Sequence, residues 1–429
     1  MYHKSMDKKV KNYIFISYYF LPNLGGIESS IDAMAKYLSG QKSSSLVFTS
    51  KVKRNSNKLL DSYSNNGIYK ISRIRTFQKN KLLSLFLIDR LIFGFRLRRR
   101  IISLSKKNYC ICISRDHFSS LFLLSIKNIK VVSLPPSVCF HESLYNYKAK
   151  LLRQNIKKVK FQFKQLTVMI IQSFISYILQ YLAFLSSDKI IVSSQIFKKR
   201  LLGIFPCKNI KEAQVLKFPL FKLNLKRNYE SIGIDNKDDN VIRFLTVSRL
   251  CPLKNIDLSI RTISLLQQKC NVKIKYHIYG EGEDLEYLYK IIKELNVGKF
   301  IKIITGFDSS KIDWQKYHYF LFTSSCESYA NTINESISQF LPIVGFQSQA
   351  RNKNFIVRTA TSEILGEAYK EFGLLAKEFN GNSLYNSLLN SIKIINNGEY
   401  ENLINYLITI NKEMQPLERY MKNILNMIF

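Results

Sequence analysis

The sequence has few acidic residues. Its 429 residues include 65 Lys and Arg but only 31 Asp and Glu, which gives a net charge of +34. The shortage lies in one half of the chain: residues 1–222 hold 40 basic and 9 acidic residues (net +31), whereas residues 223–429 hold 25 and 22 (net +3). A charge of this size attracts polyanions, so the first half is predicted to face nucleic acid or an anionic membrane surface. A solvated lysine-rich face without a partner is the alternative.

The cysteines show neither the spacing of a zinc site nor an even disulfide framework. They lie at positions 110, 112, 139, 207, 251, 270 and 326. We predict reduced thiols in a cytoplasmic protein. The first ten residues are charged and polar, and no apolar signal-peptide core follows them. With 46% hydrophobic residues, the chain can bury two ordinary cores, and its composition argues against a disordered or fibrous protein.

The chain is long enough for two domains. It opens with an apolar run at Tyr13–Tyr19, a Pro-Gly-Gly loop and a helical pattern that begins near Glu28, which is the opening unit of an open α/β sheet. Further short apolar runs alternate with helical patterns, so each half is predicted to contain a sheet of this kind. The other predicted strands are Ser45–Thr49, Tyr109–Ser114, Lys130–Leu134, Lys189–Ser193, Ile242–Val247, Val272–Tyr279, Phe300–Thr305, Tyr319–Thr323 and Pro342–Phe346.

A polar, charged stretch at residues 220–240 marks the predicted domain boundary. We therefore predict a strongly basic N-terminal domain at 1–222 and a C-terminal domain at 223–410. Residues 400–429 are predicted to form a final helical pair. Its last part, 411–429, is predicted to pack back on the N-terminal domain.

Two segments of the first half are candidates for membrane contact. Lys79–Ile102 mixes Leu, Phe and Ile with five Arg, which is typical of an interfacial amphipathic helix. Gln165–Ser187 contains 23 residues without a charge, enough to span a bilayer. Four polar residues recur within it at helical spacing: Gln165, Gln172, Ser176 and Gln180. This polar stripe favours a helix that lies on the surface or in the core over a transmembrane span.

The second half carries the residue types that a nucleotide-sugar site needs. Such a site must neutralise a diphosphate, hold a ribose and orient a sugar, for which fixed cations, carboxylates and the amides at a helix N-terminus are suited. Two cations follow one predicted strand, a tight Gly-x-Gly turn follows the next strand, and two carboxylates lie on either side of a later helix start. In chain order these residues are Arg249, Lys254, Gly280, Gly282, Glu327 and Glu335.

Together these elements resemble the family 4 glycosyltransferases, a large retaining group with the GT-B fold. The match runs from about residue 13 to residue 346 and keeps the family's order. Its elements are the Pro22-x-x-Gly25-Gly26-x-Glu28 opening, the Val192–Ser194 strand end, Pro219, the Ser-Arg-Leu…Lys element at Arg249 and Lys254, the Gly280-x-Gly282 turn, Gly306, and Glu327-x7-Glu335. Each element alone is common, but together and in one order they are specific.

The resemblance implies an α/β protein of two Rossmann-like domains whose parallel sheets face each other across a cleft. It also implies roles for the donor residues. Arg249 and Lys254 would hold the donor diphosphate and stabilise its developing charge, Glu327 would contact the donor sugar, and Glu335 would bind the ribose. The helix start would bring further groups to the phosphates: Ser328, Tyr329, Ala330, Asn331 and Thr332.

On the N-terminal side the resemblance implies that Gly25 and Gly26 let a loop approach donor and acceptor. The family reaction retains the anomeric configuration, is thought to proceed by front-face attack assisted by the leaving phosphate, and generally needs no metal. The sequence carries no Asp-x-Asp metal signature, so we expect no metal and no cofactor besides the nucleotide-sugar substrate.

The sequence departs from the family pattern at three places. The usual Glu-Gly-Phe-Gly is here Glu-Ser-Tyr-Ala at 327–330, and the usual Lys-Gly is Lys254-Asn255. A histidine that many members carry after the strand near 131–134 is missing. His117 and His141 lie nearby in sequence and are candidates to replace it, although an ordinary loop or surface position is the expected one for each.

We therefore predict a glycosyltransferase that moves a sugar from a nucleotide sugar to a lipid-linked or polysaccharide acceptor with retention. A bacterial envelope, capsule, O-antigen or exopolysaccharide pathway is the natural setting. The basic half, residues 1–222, is predicted to bind the acceptor and an anionic membrane surface on the inner face of the cytoplasmic membrane. The alternatives are a catalytically degenerate GT-B partner subunit, a sugar epimerase of the same fold, and a basic nucleic-acid-binding protein, for which no recognition motif is present.

Overall fold

The chain divides into two compact units. The computed structural model describes residues 11–23, 25–41, 43–52, 60–61, 63–65, 67–76, 83–153, 159–219, 241–307, 311–353 and 355–429. The first unit, termed the N unit, comprises Met1–Ser143, Asn155–Lys217 and Pro416–Phe429. The second, termed the C unit, comprises Leu144–Gln154 and Phe218–Gln415.

The N unit alternates strands and helices over most of its length. Its strands are β1 (Lys11–Ile16), β2 (Ser44–Ser50), β3 (Tyr63–Asn65), β4 (Lys70–Ile74), β5 (Tyr109–Ser114), β6 (Ile129–Ser133), β7 (Lys189–Val192) and β8 (Gln214–Val215). Its helices are α1 (Gly26–Gly40), α2 (Leu83–Ser105), α4 (Val159–Leu185), α5 (Gln195–Ile204), α6 (Lys208–Lys211) and the C-terminal α13 (Leu417–Ile428). The helix α3 (Cys139–Arg153) begins in this unit and continues into Leu144–Gln154 of the C unit.

The sheet of the N unit has the strand order β3-β4-β2-β1-β5-β6-β7-β8. Its pairs are parallel except for the antiparallel β3–β4 pair at one edge. The central strand β5 reads Tyr-Cys-Ile-Cys-Ile-Ser and is buried from its second residue onward. Such a continuous apolar strand is typical of a parallel sheet that is covered on both faces. The chain order reverses between β1 and β5, which makes their carboxyl ends a topological switch point.

The C unit contains the second α/β series. Its strands are β9 (Val241–Val247), β10 (Lys273–Tyr279), β11 (Ile301–Ile304), β12 (Tyr319–Phe322), β13 (Ile343–Arg351) and β14 (Leu375–Glu378). Its helices are α7 (Ile256–Lys269), α8 (Leu285–Glu294), α9 (Asn331–Ser338), α10 (Thr361–Leu365), α11 (Gly381–Asn396) and α12 (Tyr400–Glu413).

The sheet of the C unit is parallel throughout its described pairs and has the order β11-β10-β9-β12-β13-β14. In terms of chain order this is 3-2-1-4-5-6, the Rossmann arrangement. The switch point lies between β9 and β12, so a ligand is expected outside the carboxyl ends of these two strands. The predicted donor residues follow the same two strands.

The units differ from the predicted domains in one segment. Leu144–Gln154, placed by the sequence within the N-terminal domain, belongs to the C unit because Tyr145 donates a hydrogen bond to the carbonyl of Ile356 and packs against Phe355. At the other end of the chain, Pro416–Phe429 belongs to the N unit. The predicted boundary at 222/223 lies outside the described residues.

The two segments considered for membrane contact are long helices of the N unit. None of the helices, over the residues that the structure describes, combines the length and the apolarity needed to cross a bilayer. In α2 the apolar side chains Phe93, Leu97 and Ile101 are buried in the core. Arg90, predicted to be one of the interfacial cations, is instead buried and pairs with Asp116. A lipid surface therefore cannot be the partner of this arginine.

Candidate functional site

Two loops meet at the switch point of the C unit. One follows β9 and carries Arg249 and Lys254, and the other follows β12 and carries Glu327. The loops are joined by hydrogen bonds: the amide of Ser325 donates to the carbonyl of Leu253 over 2.9 Å, and the hydroxyl of Thr323 donates to the carbonyl of Lys254 over 2.8 Å. This network fixes the backbone on both sides of the charged side chains.

Lys254 and Glu327 form an ion pair at the centre of these loops. The Lys254 Nζ atom lies 2.5 Å from Glu327 Oε1, and the two side chains are 18% and 17% exposed. The backbone of Glu327 is held as well, since its amide donates to the carbonyl of Arg358. A partly exposed cation beside a carboxylate can exchange one partner for an incoming phosphate oxygen, while the carboxylate remains free to accept from a sugar hydroxyl. Arg249 lies on the same loop and is exposed.

Asn255 provides the left-handed residue that the loop needs. Its backbone has φ 50° and ψ 40°, a conformation that Asn tolerates better than most residues. Its side-chain amide donates to the carbonyls of Leu253 and Thr323 over 3.1 Å each. The replacement of the family's glycine by Asn255 is therefore accommodated, and Asn255 adds a tie between the two loops.

The Gly280-x-Gly282 turn packs against the backbone that carries Arg249. A Cβ atom built on Gly280 would lie 2.1 Å from the carbonyl oxygen of Ser248, and one on Gly282 would lie 2.1 Å from that of Leu250. The amide of Leu250 also donates to the carbonyl of Glu281. We predicted that these glycines let the backbone approach a ligand. Within the C unit the two glycines instead lie close to the backbone of residues 248–250, so they position Arg249.

The helix α9 begins directly after the second loop. Its N-cap is Ala330, whose methyl group cannot cap the helix, and the amide of Ile333 donates to the carbonyl of Ala330. The helix N-terminus carries partial positive charge, which suits an anionic ligand. Tyr329, half-buried, donates its hydroxyl hydrogen to Asn334 Oδ1, and the Asn334 amide donates to the carbonyl of Phe218. The remaining predicted residues of this segment lie in order around the helix start: Ser328 before it, and Asn331, Thr332 and Glu335 on it.

In the N unit, the Gly25–Gly26 loop follows β1, and residues 115–117 follow its parallel neighbour β5. Gly25 is extended, and its carbonyl accepts the first hydrogen bond of α1 from the amide of Ser29. Arg115 is buried, which lowers its pKa to about 10, and the charges of Tyr420 and Glu28 oppose this effect. Glu28 is buried as well, so it belongs to the interior of the unit.

Asp116 and His117 form a polar cluster at the end of β5. Burial alone would raise the pKa of Asp116, but Arg90, His117 and the hydrogen bond from Ser119 hold it below its ordinary value. His117 Nε2 lies 2.8 Å from the hydroxyl oxygen of Ser137, and burial lowers the pKa of this imidazole. His117 lies in a loop, as expected, although it contacts Ser137 and is partly buried. For His141 the expectation of a loop or surface position was wrong, because this residue is buried on α3. The Arg90–Asp116 pair was missed because no motif connects residues so far apart.

The sequence of the C unit matches a known family. Residues 229–358 match the model of the glycosyl transferases group 1, and this range includes both charged loops, the glycine turn and the start of α9. The chain contains a group 1 glycosyltransferase domain. The narrower assignment to family 4 stays a prediction.

Curated relatives resemble the group 1 domain over part of their length. The chain is 31% identical over 112 residues to the GtfA subunit of a UDP-N-acetylglucosamine–peptide N-acetylglucosaminyltransferase from Streptococcus parasanguinis, which covers 26% of this chain and 22% of the relative. It is 29% identical over 163 residues to the Campylobacter jejuni N-acetylgalactosamine-N,N'-diacetylbacillosaminyl-diphospho-undecaprenol 4-alpha-N-acetylgalactosaminyltransferase, over 37% of this chain and 40% of the relative. The matches thus span less than half of either relative.

A solved structure resembles the whole chain. Sucrose-phosphate synthase from Thermosynechococcus elongatus superposes with a TM-score of 0.70 over 97% of this chain and 98% of that protein, at 12% identity. The likeness shows the fold, and the predicted GT-B class of two Rossmann-like domains is confirmed.

Within the group 1 domain, the structure brings the predicted donor residues of one edge together. Lys254 and Glu327 touch, Arg249 lies on the loop of Lys254, and the helix start follows Glu327. Their roles toward a donor stay predictions. Sequence reasoning missed the residues that hold the loops, Thr323 and Ser325, although both lie in the Thr-Ser-Ser run that precedes Glu327.

Proposed function

We propose that the protein is a retaining glycosyltransferase that transfers an N-acetylhexosamine from a UDP-sugar to a lipid-linked or glycan acceptor. The observation that carries the proposal is the Lys254–Glu327 pair at the switch point of a Rossmann sheet, with Arg249 on the same loop. The names of two relatives support the choice of sugar, since one is named for UDP-N-acetylglucosamine and the other is named an N-acetylgalactosaminyltransferase.

The site chemistry follows from the charges. When the sugar leaves, negative charge builds on the diphosphate, and the fixed cations Arg249 and Lys254 stabilise it more than they stabilise the bound donor. The start of α9 adds partial positive charge from the helix dipole. Glu327, released from Lys254, accepts hydrogen bonds from the sugar, and Glu335 binds the ribose. The proposal includes no resident metal or cofactor, because these groups supply the positive charge.

The acceptor is assigned to the basic half of the chain. Residues 1–222 carry a net charge of +31, which suits a diphosphate-linked lipid and the anionic surface that contains it. The C. jejuni relative is named for a diphospho-undecaprenol substrate. We therefore propose peripheral attachment to the inner face of the cytoplasmic membrane and a role in a bacterial envelope polysaccharide pathway.

The decisive experiment is a thermal-shift and calorimetric screen of the purified protein against UDP, GDP, ADP, CMP and their common sugars. UDP and UDP-N-acetylhexosamines should stabilise the protein. A hydrogen bond to a charged group contributes about 1.5–3 kcal/mol, so Arg249→Ala/Lys254→Ala should weaken UDP binding at least tenfold. The matched control, Arg261→Ala/Lys293→Ala, removes the same charge from exposed positions on α7 and α8 and should bind like the parent.

Three outcomes would change the proposal. Binding of another nucleotide class that the double variant abolishes would keep the site and replace the donor. If the control variant lost UDP affinity to the same extent, the weakened binding would be explained by the change in net charge alone. No shift with any nucleotide would overturn the donor site and favour a degenerate partner subunit, for which the changed residues Ser328 and Ala330 are a reason.

A further inference from the structure

The helix α4 presents seven large apolar side chains outward and buries the polar side chains of Ser176 and Gln180. Along its described part, the large exposed residues recur every three or four positions, which places them on one face. They are Ile170, Ile171, Phe174, Ile175, Ile178, Leu182 and Leu185. Phe174 is 62% exposed and Ile170 is 55% exposed. We term these seven side chains the α4 outer face.

The opposite face of α4 is attached to the N unit by polar contacts. Gln180 is fully buried: its amide donates to the carbonyl of Ser137 over 2.8 Å, and its oxygen accepts from the amide of Cys139 over 3.0 Å. Tyr177 donates to the carbonyl of Ile204 and stacks on Phe205. Of the polar stripe seen in the sequence, Ser176 and Gln180 are buried and Gln172 is partly buried, while the side chain of Gln165 lies outside the described residues. Because this face is bound to the rest of the N unit, only the α4 outer face is available to contact a bilayer. In such a contact the helix axis lies parallel to the bilayer surface.

Neighbouring elements extend the apolar surface. The helix α4 packs against α2 and against the short 3-10 helix Ser119–Leu123. On these neighbours Phe95 is 60% exposed and its ring contacts Phe122, while Leu124, directly after the 3-10 helix, is also exposed. Scattered exposed apolar residues are ordinary, but a set on adjacent elements marks an interaction surface.

Cations border this surface. Arg96 and Arg99 are exposed on α2, and Lys127 is exposed shortly after Leu124. At the end of α4, the side chain of Asn209 donates to the carbonyl of Phe184, which places α6 with its exposed Lys208 beside Leu185. Residues 83–127 contain nine Lys and Arg against two Asp and Glu, and residues 159–187 contain no acidic residue. An apolar face bordered by cations matches a bilayer with anionic headgroups, in which apolar side chains reach the acyl chains.

We propose that the α4 outer face is the membrane-insertion surface of the protein and that anionic lipid is its partner. This rests on the proposed function, which requires an acceptor in the membrane, and it adds a location and a second driving force. The basic half alone would give binding that disappears at high salt, because ion pairing at the surface is screened. Insertion of apolar side chains is not screened in this way, so part of the binding should persist at high salt.

The test is flotation of the purified full chain with vesicles of phosphatidylcholine and phosphatidylglycerol at 0.05 and 0.5 M salt. The variant Ile171→Ser/Phe174→Ser/Ile178→Ser removes three exposed side chains and should keep the parent's melting temperature. Burial of one such side chain contributes enough for about a tenfold change in partition, so the salt-resistant binding should fall at least tenfold. The control Tyr289→Ser changes an exposed ring on α8 of the C unit and should bind like the parent.

A spectroscopic variant tests insertion directly. The chain has one tryptophan, Trp314, and it is buried. In Phe174→Trp the new indole should shift its emission to shorter wavelength on vesicle addition and be quenched by brominated acyl chains. The variant Tyr289→Trp should do neither.

Several outcomes would overturn the proposal. One is salt-resistant vesicle binding that the triple variant leaves unchanged, and another is an indole at 174 that stays in water. A parent that is dimeric by light scattering, with a monomeric triple variant and unchanged flotation, would assign the face to subunit contact. UDP binding to the same samples keeps the two proposals apart. If UDP binds but α4 does not insert into the vesicles, only the membrane-insertion proposal is wrong. If α4 inserts but no nucleotide binds, only the proposed donor site is wrong.

Discussion

Gly280 is predicted to control the position of Arg249 at the scale of a single residue. Because a Cβ atom there would meet the carbonyl of Ser248 at 2.1 Å, Gly280→Ala forces the backbone of 248–250 to move. Overpacking of this kind costs about 1–3 kcal/mol. We expect Gly280→Ala to lower the free energy of unfolding by that amount and to weaken UDP binding as well, measured by denaturant titration and calorimetry.

The control for this prediction is Gly298→Ala. A Cβ atom on Gly298 would meet Ile292 Cγ2 at 3.7 Å, an ordinary contact. This variant should leave stability within a few tenths of a kcal/mol and UDP affinity unchanged. If Gly280→Ala destabilised the protein but bound UDP normally, the turn would be structural only, and its link to Arg249 would be wrong.

The sequence predicted which charged residues lie at the switch point of the C unit better than it predicted what the glycines and hydroxyls around them contact. Lys254 and Glu327 were named from two separate motif elements, and the structure places them in contact. The glycines were named for approach to a ligand, but their neighbours within the C unit are backbone carbonyls. The hydrogen bond by which Thr323 joins the two loops was not predicted, because the sequence does not show which carbonyl a hydroxyl in a polar run will contact.

At the scale of elements, the strong apolar runs were predicted, and strands with few apolar residues at or next to a sheet edge were missed. The prediction Tyr109–Ser114 is the strand as found, and Ile242–Val247 differs from β9 by one residue. The missed strands β4 and β14 read Lys-Ile-Ser-Arg-Ile and Leu-Ala-Lys-Glu. Each contains only two apolar residues, so neither differs clearly from a loop. Their pairing comes from the neighbouring strand, which a local pattern does not report.

The loop after β5 should make the stability of the N unit depend on pH. Burial lowers the pKa of His117 from its ordinary value of 6.5. Below about pH 6.5 the unfolded chain therefore binds a proton that the native imidazole does not, so the free energy of unfolding falls as the pH drops toward the lowered native pKa. Asp116, whose pKa is also lowered, acts in a separate window below 3.8.

This prediction is checked by hydrogen exchange of β5 and β6 between pH 5 and 7.5, corrected for the intrinsic exchange rate. His117→Gln should flatten the dependence in these strands. His277→Gln removes an imidazole in the C unit whose pKa burial also lowers, so it should flatten only the dependence of β9 and β10. A parent profile that does not change between pH 7 and 5 would show that His117 titrates as in the unfolded chain.

At the scale of the whole molecule, contacts distant in sequence decide features that local patterns leave open. The periodicity of α4 shows a polar stripe and an apolar stripe, but not which one faces inward. The buried partners of Gln180, the backbone groups of Ser137 and Cys139, decide it, and they lie more than 40 residues away. The same holds for Leu144–Gln154, whose place in the C unit depends on Tyr145 and the strand bridge near Ile356. A sequence alone therefore predicts the amphipathic helix but leaves open which of its faces is buried.

The C-terminal helix α13 gives the last prediction, because it completes the core of a unit that begins 400 residues earlier. Its side chains Tyr420, Met421, Ile424 and Ile428 are buried, and it packs against α1. Ile424→Ala leaves a cavity there and should lower the stability of the N unit by about 2–5 kcal/mol, since truncation of a buried isoleucine costs this much. Lys422→Ala, on the exposed side of α13, should have little effect.

The measurement for Ile424→Ala must report the stability of the N unit and of the C unit separately. In Ile424→Ala, hydrogen exchange should rise in β1 and β5 of the N unit, whereas β9 and β12 and the affinity for UDP should stay as in the parent. Because Tyr420 also lies within electrostatic reach of the buried Arg115, the loop at residues 115–117 should lose protection with β5. Increased exchange confined to β9 and β12 would show that α13 supports the C unit instead, and the assignment of Pro416–Phe429 to the N unit would be wrong.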